Sequence, residues 1–161
     1  MNKTLSFAVV PMMCFLMTAC SESQQQDVSE AVVSEPMLIV DTHIDVPYRL
    51  EEHYEDVSKA TEKGDFDYPR ALAGGLNVAF MSIYTSPGED SNGTAHEIAH
   101  RQIDSIEALV QRHPDKFALL TSPGDIARLQ AGGRVLLAFG MENGAPIGDD
   151  LAELTAFHQR G

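Results

Sequence analysis

Three side chains in this sequence have the types and settings to bind a metal ion together. Asp41-Thr42-His43-Ile44-Asp45 follows the apolar run Met37-Leu38-Ile39-Val40. In an extended chain, residues two apart project to the same side, so His43 and Asp45 can aim an imidazole and a carboxylate at one point. Gly140-Met141-Glu142-Asn143-Gly144 stands in the same way after Val135-Leu136-Leu137-Ala138-Phe139. An acidic residue there, if buried, needs a cationic partner or a metal, because an unpaired buried carboxylate is costly. Nitrogen and oxygen donors at about 2.0–2.2 Å are what Zn²⁺ accepts. Each pattern alone has a plainer reading. The first is also a surface turn with a helix-capping aspartate, and the second a loop glutamate paired with an arginine such as Arg70. Two strand ends that present His, Asp and Glu together favour a metal site.

The elements that must position these residues alternate between strand-like and helix-like. Met37 to Val40 reads as a buried strand ending at Asp41. Val46 to Ala73 is mixed and charged, with helical fragments. Gly74-Gly75 introduces a second buried strand, Leu76 to Tyr84, and Ser86 to Gly93 reads as a loop. Thr94 and Glu97 have the spacing of a capping box that opens the clearest helix. Ala99, Ile103, Ile106 and Val110 mark its buried face, and Pro114 ends it after His113. Phe117 to Leu120 is a short strand candidate. Ser122-Pro123 opens a further helix that runs to Gly132-Gly133. Arg134 to Gly140 is a third strong strand, and Asp150 to Arg160 a last helix with Gly161 at its C-terminal end. Strands apolar throughout are covered on both faces, as in parallel sheets. The fold class is α/β. Periodicity alone does not separate a barrel from a doubly wound sheet, though in both the C-terminal strand ends gather ligands and catalytic groups.

The sequence resembles the membrane dipeptidase (renal dipeptidase) family of dinuclear zinc peptidases. The segments that carry the resemblance are Asp41-Thr42-His43-Ile44-Asp45-Val46-Pro47, Asp67-Tyr68-Pro69-Arg70, Gly74 to Tyr84, and Gly140-Met141-Glu142-Asn143-Gly144. Many relatives have a second glycine at the position of Asn143, beside the ligand rather than on it. The resemblance implies a (β/α)₈ TIM-type barrel with two Zn²⁺ at its strand ends. It further implies that His43 and Asp45 bind the first zinc and that Glu142 bridges both. The implied reaction is hydrolysis of dipeptides, including those with a C-terminal D-residue, by a metal-activated water. A barrel of this kind takes about 250 residues, so residues 37–161 correspond to its first half. The other zinc ligands and the proton-transfer residue of the family come from later strands. No catalytic residue is therefore identifiable in this portion, and the 161-residue chain by itself is expected to be inactive. His53, His96, His100, His113 and His158 read as surface or packing residues, and Asp67-Tyr68-Pro69-Arg70 as a structural salt bridge. Two other readings remain: a different metal-dependent amidohydrolase, disfavoured by His-x-Asp where His-x-His is usual, and a non-catalytic ligand-binding lipoprotein.

The first residues suggest export. Lys3, the apolar Leu5 to Met17 and the small Thr18-Ala19 have the layout of a signal peptide over residues 1–19. Leu16-Met17-Thr18-Ala19-Cys20 resembles a bacterial lipobox, which makes Cys20 the expected lipidation site. Residues 20–36, rich in Ser, Gln and Glu, then read as a flexible tether between the lipid-bearing cysteine and the barrel portion at 37–161. The expected location is the bacterial periplasm or outer membrane, with the membrane reached through the lipid anchor. Loss of Lys3 with the signal leaves 24 acidic against 10 basic residues. So acidic a balance argues against a nucleic-acid partner, which needs a basic patch. Dipeptides are the expected substrates, and a homodimer is left open.

Overall fold

The computed structural model describes residues 37–161. The proposed signal, Cys20 and the tether lie outside the described residues. Four strands form one parallel sheet: β1 (Val40–Ile44), β2 (Val78–Ile83), β3 (Phe117–Leu119) and β4 (Val135–Met141). Their spatial order is β1-β2-β4-β3, so β4 lies between β2 and β3. The helices are α1 (Val46–Glu52), α2 (Tyr68–Ala73), α3 (Pro87–Ser91), α4 (Ala95–Arg112), α5 (Ile126–Leu129) and α6 (Leu151–Gln159). Among the described residues, no helix is long and apolar enough to cross a membrane.

The two central strands are apolar on both faces for the reason expected, since both faces are covered. Ala79, Met81, Val135 and Leu137 pack against Ile106 and Leu109 of α4 and against Phe117. On the opposite face, Val78, Leu136 and Ala138 pack with Leu120, Phe80 and Ile126. Full burial of one such side chain, for example Ile106, contributes about 2 kcal/mol. α4 buries Ala95, Ile98, Ala99, Gln102, Ile103, Ile106 and Leu109. The polar member of that stripe, Gln102, exchanges two hydrogen bonds with the backbone of Tyr84, at 3.1 and 2.7 Å. It thereby pins the end of β2 to the helix.

Several local expectations need correction. β1 is displaced toward the C-terminus: it spans Val40–Ile44, so His43 sits within the strand, and Met37 to Ile39 precede it. It is an edge strand with no described neighbour on its outer side, and Met37 to Val40 are exposed rather than buried. Ser86 to Gly93 is not a plain loop. It holds the short helix α3, opened by a capping box in which Ser86 accepts from the Glu89 N–H and Glu89 accepts from the Ser86 N–H. Thr94 and Glu97 form no such box. Thr94 lies at the N-cap of α4 but donates its hydroxyl to the Glu89 carbonyl, because the chain turns sharply from α3 through Gly93 at φ +70°. Ser122-Pro123 leads into a 3₁₀ turn (Pro123–Asp125) and one turn of α5 rather than a full helix.

Candidate metal centre

β1 and α1 meet at Asp45, and the turn between them sets the first two donors. The pairing of β1 with β2 slips by one residue between Asp41 and Ile44: Asp41 faces Ala79, while Ile44 faces Met81. Such a bulge re-aims side chains, and it falls at Thr42-His43. The Asp41 carboxylate accepts from the His43 N–H at 3.0 Å and holds the bulge. Asp45 occupies the N-cap position of α1 but makes no capping hydrogen bond. Its carboxylate instead lies 3.3 Å from His43 Nε2. The helix-capping alternative for Asp45 is thus set aside.

Glu142 follows the last residue of β4, and its N–H donates to the Ile83 carbonyl, extending the β2–β4 ladder past the strand end. Its Oε2 lies 3.4 Å from His43 Nε2 and accepts from the Ser82 hydroxyl at 3.0 Å. Ser82 is buried, two positions before Tyr84 on β2. The side chain of Glu142 is 38% exposed, not buried, so a cost of burial is not what demands its partner. The arginine alternative fails as well. Arg70 is bound to Asp67, and among the described residues the ion pairs of Asp45 and Glu142 run only to His43.

Thus His43, Asp45 and Glu142, from two strand ends about a hundred residues apart in sequence, bring their donor atoms within 4.8 Å of one another. Ligands about 2.0–2.2 Å from one ion stand about 3.3–3.6 Å apart at tetrahedral angles. The two separations from His43 Nε2 match that spacing. The donors fit a borderline dication, and two carboxylates without an arginine or lysine partner leave a local negative charge for it to offset. Open clefts lie at the same strand ends. One, of about 380 Å³, is lined by Tyr84, Thr85, Ser86 and Asn143 at the ends of β2 and β4. Another, of about 350 Å³, lies along Asp45, Tyr48 and Phe66.

Sequence reasoning missed Ser82, Asn143 and Gln102 as positioning groups. Asn143 bonds the Thr85 hydroxyl and carbonyl and accepts from the Ala145 N–H, tying the loops after β2 and β4 together. A serine between Met81 and Ile83 in an otherwise apolar strand was the available signal. Asp67 is structural, as expected, and almost fully buried. Burial pushes its carboxyl up, but hydrogen bonds from the Arg70 side chain and from the Thr61 and Arg70 N–H groups outweigh this and hold it at about 2. His53 caps the end of α1, His113 ends α4 and reaches Asp56, and His158 lies on α6. His96 and His100 stand together on α4, packed against Phe157 of α6.

The sequence profile of the membrane dipeptidase family, peptidase family M19, matches residues 27–161. The chain belongs to this family. Among curated relatives, it is similar to dipeptidase ataJ of Aspergillus terreus, 26% identical over 76% of this chain and 33% of that protein. Two solved members of similar fold are dipeptidase AC and a metallopeptidase from Rhodobacter sphaeroides bound to a phosphinate mimic of the dipeptide L-Ala-D-Ala. The first aligns at TM-score 0.68 with 23% identity, covering 79% of this chain and 41% of that one. The second aligns at 0.66 with 21% identity, covering 79% and 44%. The chain therefore spans between a third and a half of the length of these family members. The parallel α/β sheet is the corresponding part of the membrane dipeptidase fold.

Proposed function

We propose that the whole protein is a zinc-dependent dipeptidase and that His43, Asp45 and Glu142 are its metal ligands in this part of the chain. The convergence of these three side chains at the C-terminal strand ends, in a chain of the membrane dipeptidase family, carries the reading. Two zinc ions bound there would supply Lewis-acid polarisation of the scissile carbonyl and a water activated at neutral pH.

The chain's own residues do the positioning. The Asp41 carboxylate and the β1 bulge aim His43. Ser82 donates to Glu142 Oε2, and no hydrogen bond to Oε1 exists among the described residues. Glu142 would then be held in place as a ligand shared by the metal ions. Gln102 and Asn143 fix the rim of the strand-end cleft, where a dipeptide would lie. The phosphinate mimic of L-Ala-D-Ala bound to the Rhodobacter relative supports dipeptides with a C-terminal D-residue as substrates. The apolar run before Cys20 supports export and lipid attachment, with the enzyme facing the periplasm from a membrane.

The test is hydrolysis of L-Ala-D-Ala by the zinc-loaded, full-length protein. Glu142→Gln is expected to lower kcat/KM by about 10³-fold or more, equivalent to about 4 kcal/mol of transition-state stabilisation. A full-length protein that is folded and zinc-loaded yet cleaves no dipeptide would rule the reading out, and so would an unimpaired Glu142→Gln.

A further inference from the structure

We propose that His96, His100 and Glu153 form a second metal site on the outer helical layer, one that takes a single transition-metal dication and ties α4 to α6. Residues four apart on a helix share a face, and the His96 and His100 rings pack edge to face with centroids 4.6 Å apart. Glu153, in the first turn of α6, comes to them from 53 residues further along the chain than His100. His96 Nε2 lies 2.9 Å from Glu153 Oε2. One donor atom from each of the three falls within 4.8 Å of the others, as at the strand-end site.

Three features favour an ion here. Half of the His96 side chain and a third of that of Glu153 are open to solvent, so an ion and its waters can reach them. The rings are already held in place. His100 stacks on Phe157 at 4.5 Å, and His96 meets the same ring at 5.7 Å, so binding immobilises little that is free. Two imidazoles with one carboxylate suit zinc, cobalt, nickel or copper rather than magnesium or calcium, which prefer oxygen alone.

Arg160 is the competing group, since its Nη1 lies 2.9 Å from His100 Nδ1. Its Nη2 is held separately by Asp104 at 2.6 Å and Glu107 at 2.8 Å. An ion that takes the His100 ring therefore displaces one hydrogen bond and leaves the guanidinium anchored. α6 buries only Phe157, and a shared ion would join Glu153 to both histidines, where it now meets His96 alone. That attachment also steadies the loop from Glu142 to Asp150, which α6 terminates.

The proposal stands apart from the dipeptidase reading and is tested where two of the strand-end ligands have been removed. In the full-length protein carrying His43→Gln and Asp45→Asn, Co²⁺ and Zn²⁺ titrations are followed by calorimetry and by cobalt absorption. A bound ion is expected whose affinity falls more than about tenfold with His96→Gln, His100→Gln or Glu153→Gln, given that even outer-shell partners are worth about 10–100-fold. The ring resonances of His96 and His100 are expected to shift on zinc addition. If no ion binds, or if binding ignores all three substitutions while far-ultraviolet dichroism shows them folded, the proposal is overturned.

Discussion

Two clusters of charged side chains in this chain use the same chemical groups to opposite ends. Asp67 is buried, and its oxygens receive the Thr61 N–H, the Arg70 N–H and the Arg70 guanidinium. Asp45 and Glu142 are exposed at the sheet mouth and have only His43 as an ionic partner among the described residues. A carboxylate that serves the fold commits its lone pairs to neighbours in the same chain, because leaving them unmet in the interior is costly. A carboxylate kept for a ligand holds its lone pairs open, where solvent covers them until the ligand arrives. Exposure, not burial, distinguishes the strand-end carboxylates from Asp67.

The contrast can be broken by changing one cluster at a time. The largest effect is expected at the mouth. His43→Ala, or Asp45→Asn, should lower zinc affinity by about 100-fold or more, measured by competition with a chelator, with the melting temperature of the metal-free protein nearly unchanged. A large fall in metal-free stability would show that these side chains serve the fold after all. Next comes Asp67→Asn, expected to cost about 2 kcal/mol of stability in urea unfolding while metal content stays the same.

This second substitution also predicts a pH signature. The Asp67 carboxyl lies at about 2 in the folded chain against 3.8 in the unfolded one, so its protonation favours unfolding. Its contribution is fully present above about pH 4 and is lost as the pH falls through about 2. Asp67→Asn should flatten the acid limb of the stability curve in that window, as read by unfolding at a series of pH values. The smallest effect is expected for Ser82→Ala, which removes one hydrogen bond to Glu142 Oε2. It should weaken zinc binding by about tenfold, read in the same chelator competition, and change stability by only about 1 kcal/mol. Equal losses of stability for Ser82→Ala and Asp67→Asn would erase the distinction between the clusters.

Much of this was legible in the sequence. β2, β4, α4 and α6 stand close to where apolar runs, Pro114 and Gly161 put them, because long elements with strong periodicity are decided locally. The strand-end donors were legible too, because a His-x-Asp pair and a glycine-flanked glutamate are conspicuous after apolar runs. Shorter elements were not. Whether Ser86 or Thr94 opens a capping box depends on the turn at Gly93, and both have a glutamate three residues on. The pairing of His96 and His100 with Glu153 was hidden because α6 meets α4 only in the folded chain.

The sequence by itself determined which residues are apolar, that the two central strands are covered on both faces and which side chains can carry a metal. These follow from residue type and spacing, properties a few neighbouring positions fix. The tertiary structure alone decided that β4 inserts between β2 and β3, that His43 meets Glu142, and that Ser82 reaches Glu142. Those outcomes rest on contacts between segments tens of residues apart, chosen by the packing of the whole sheet, and no local pattern encodes them.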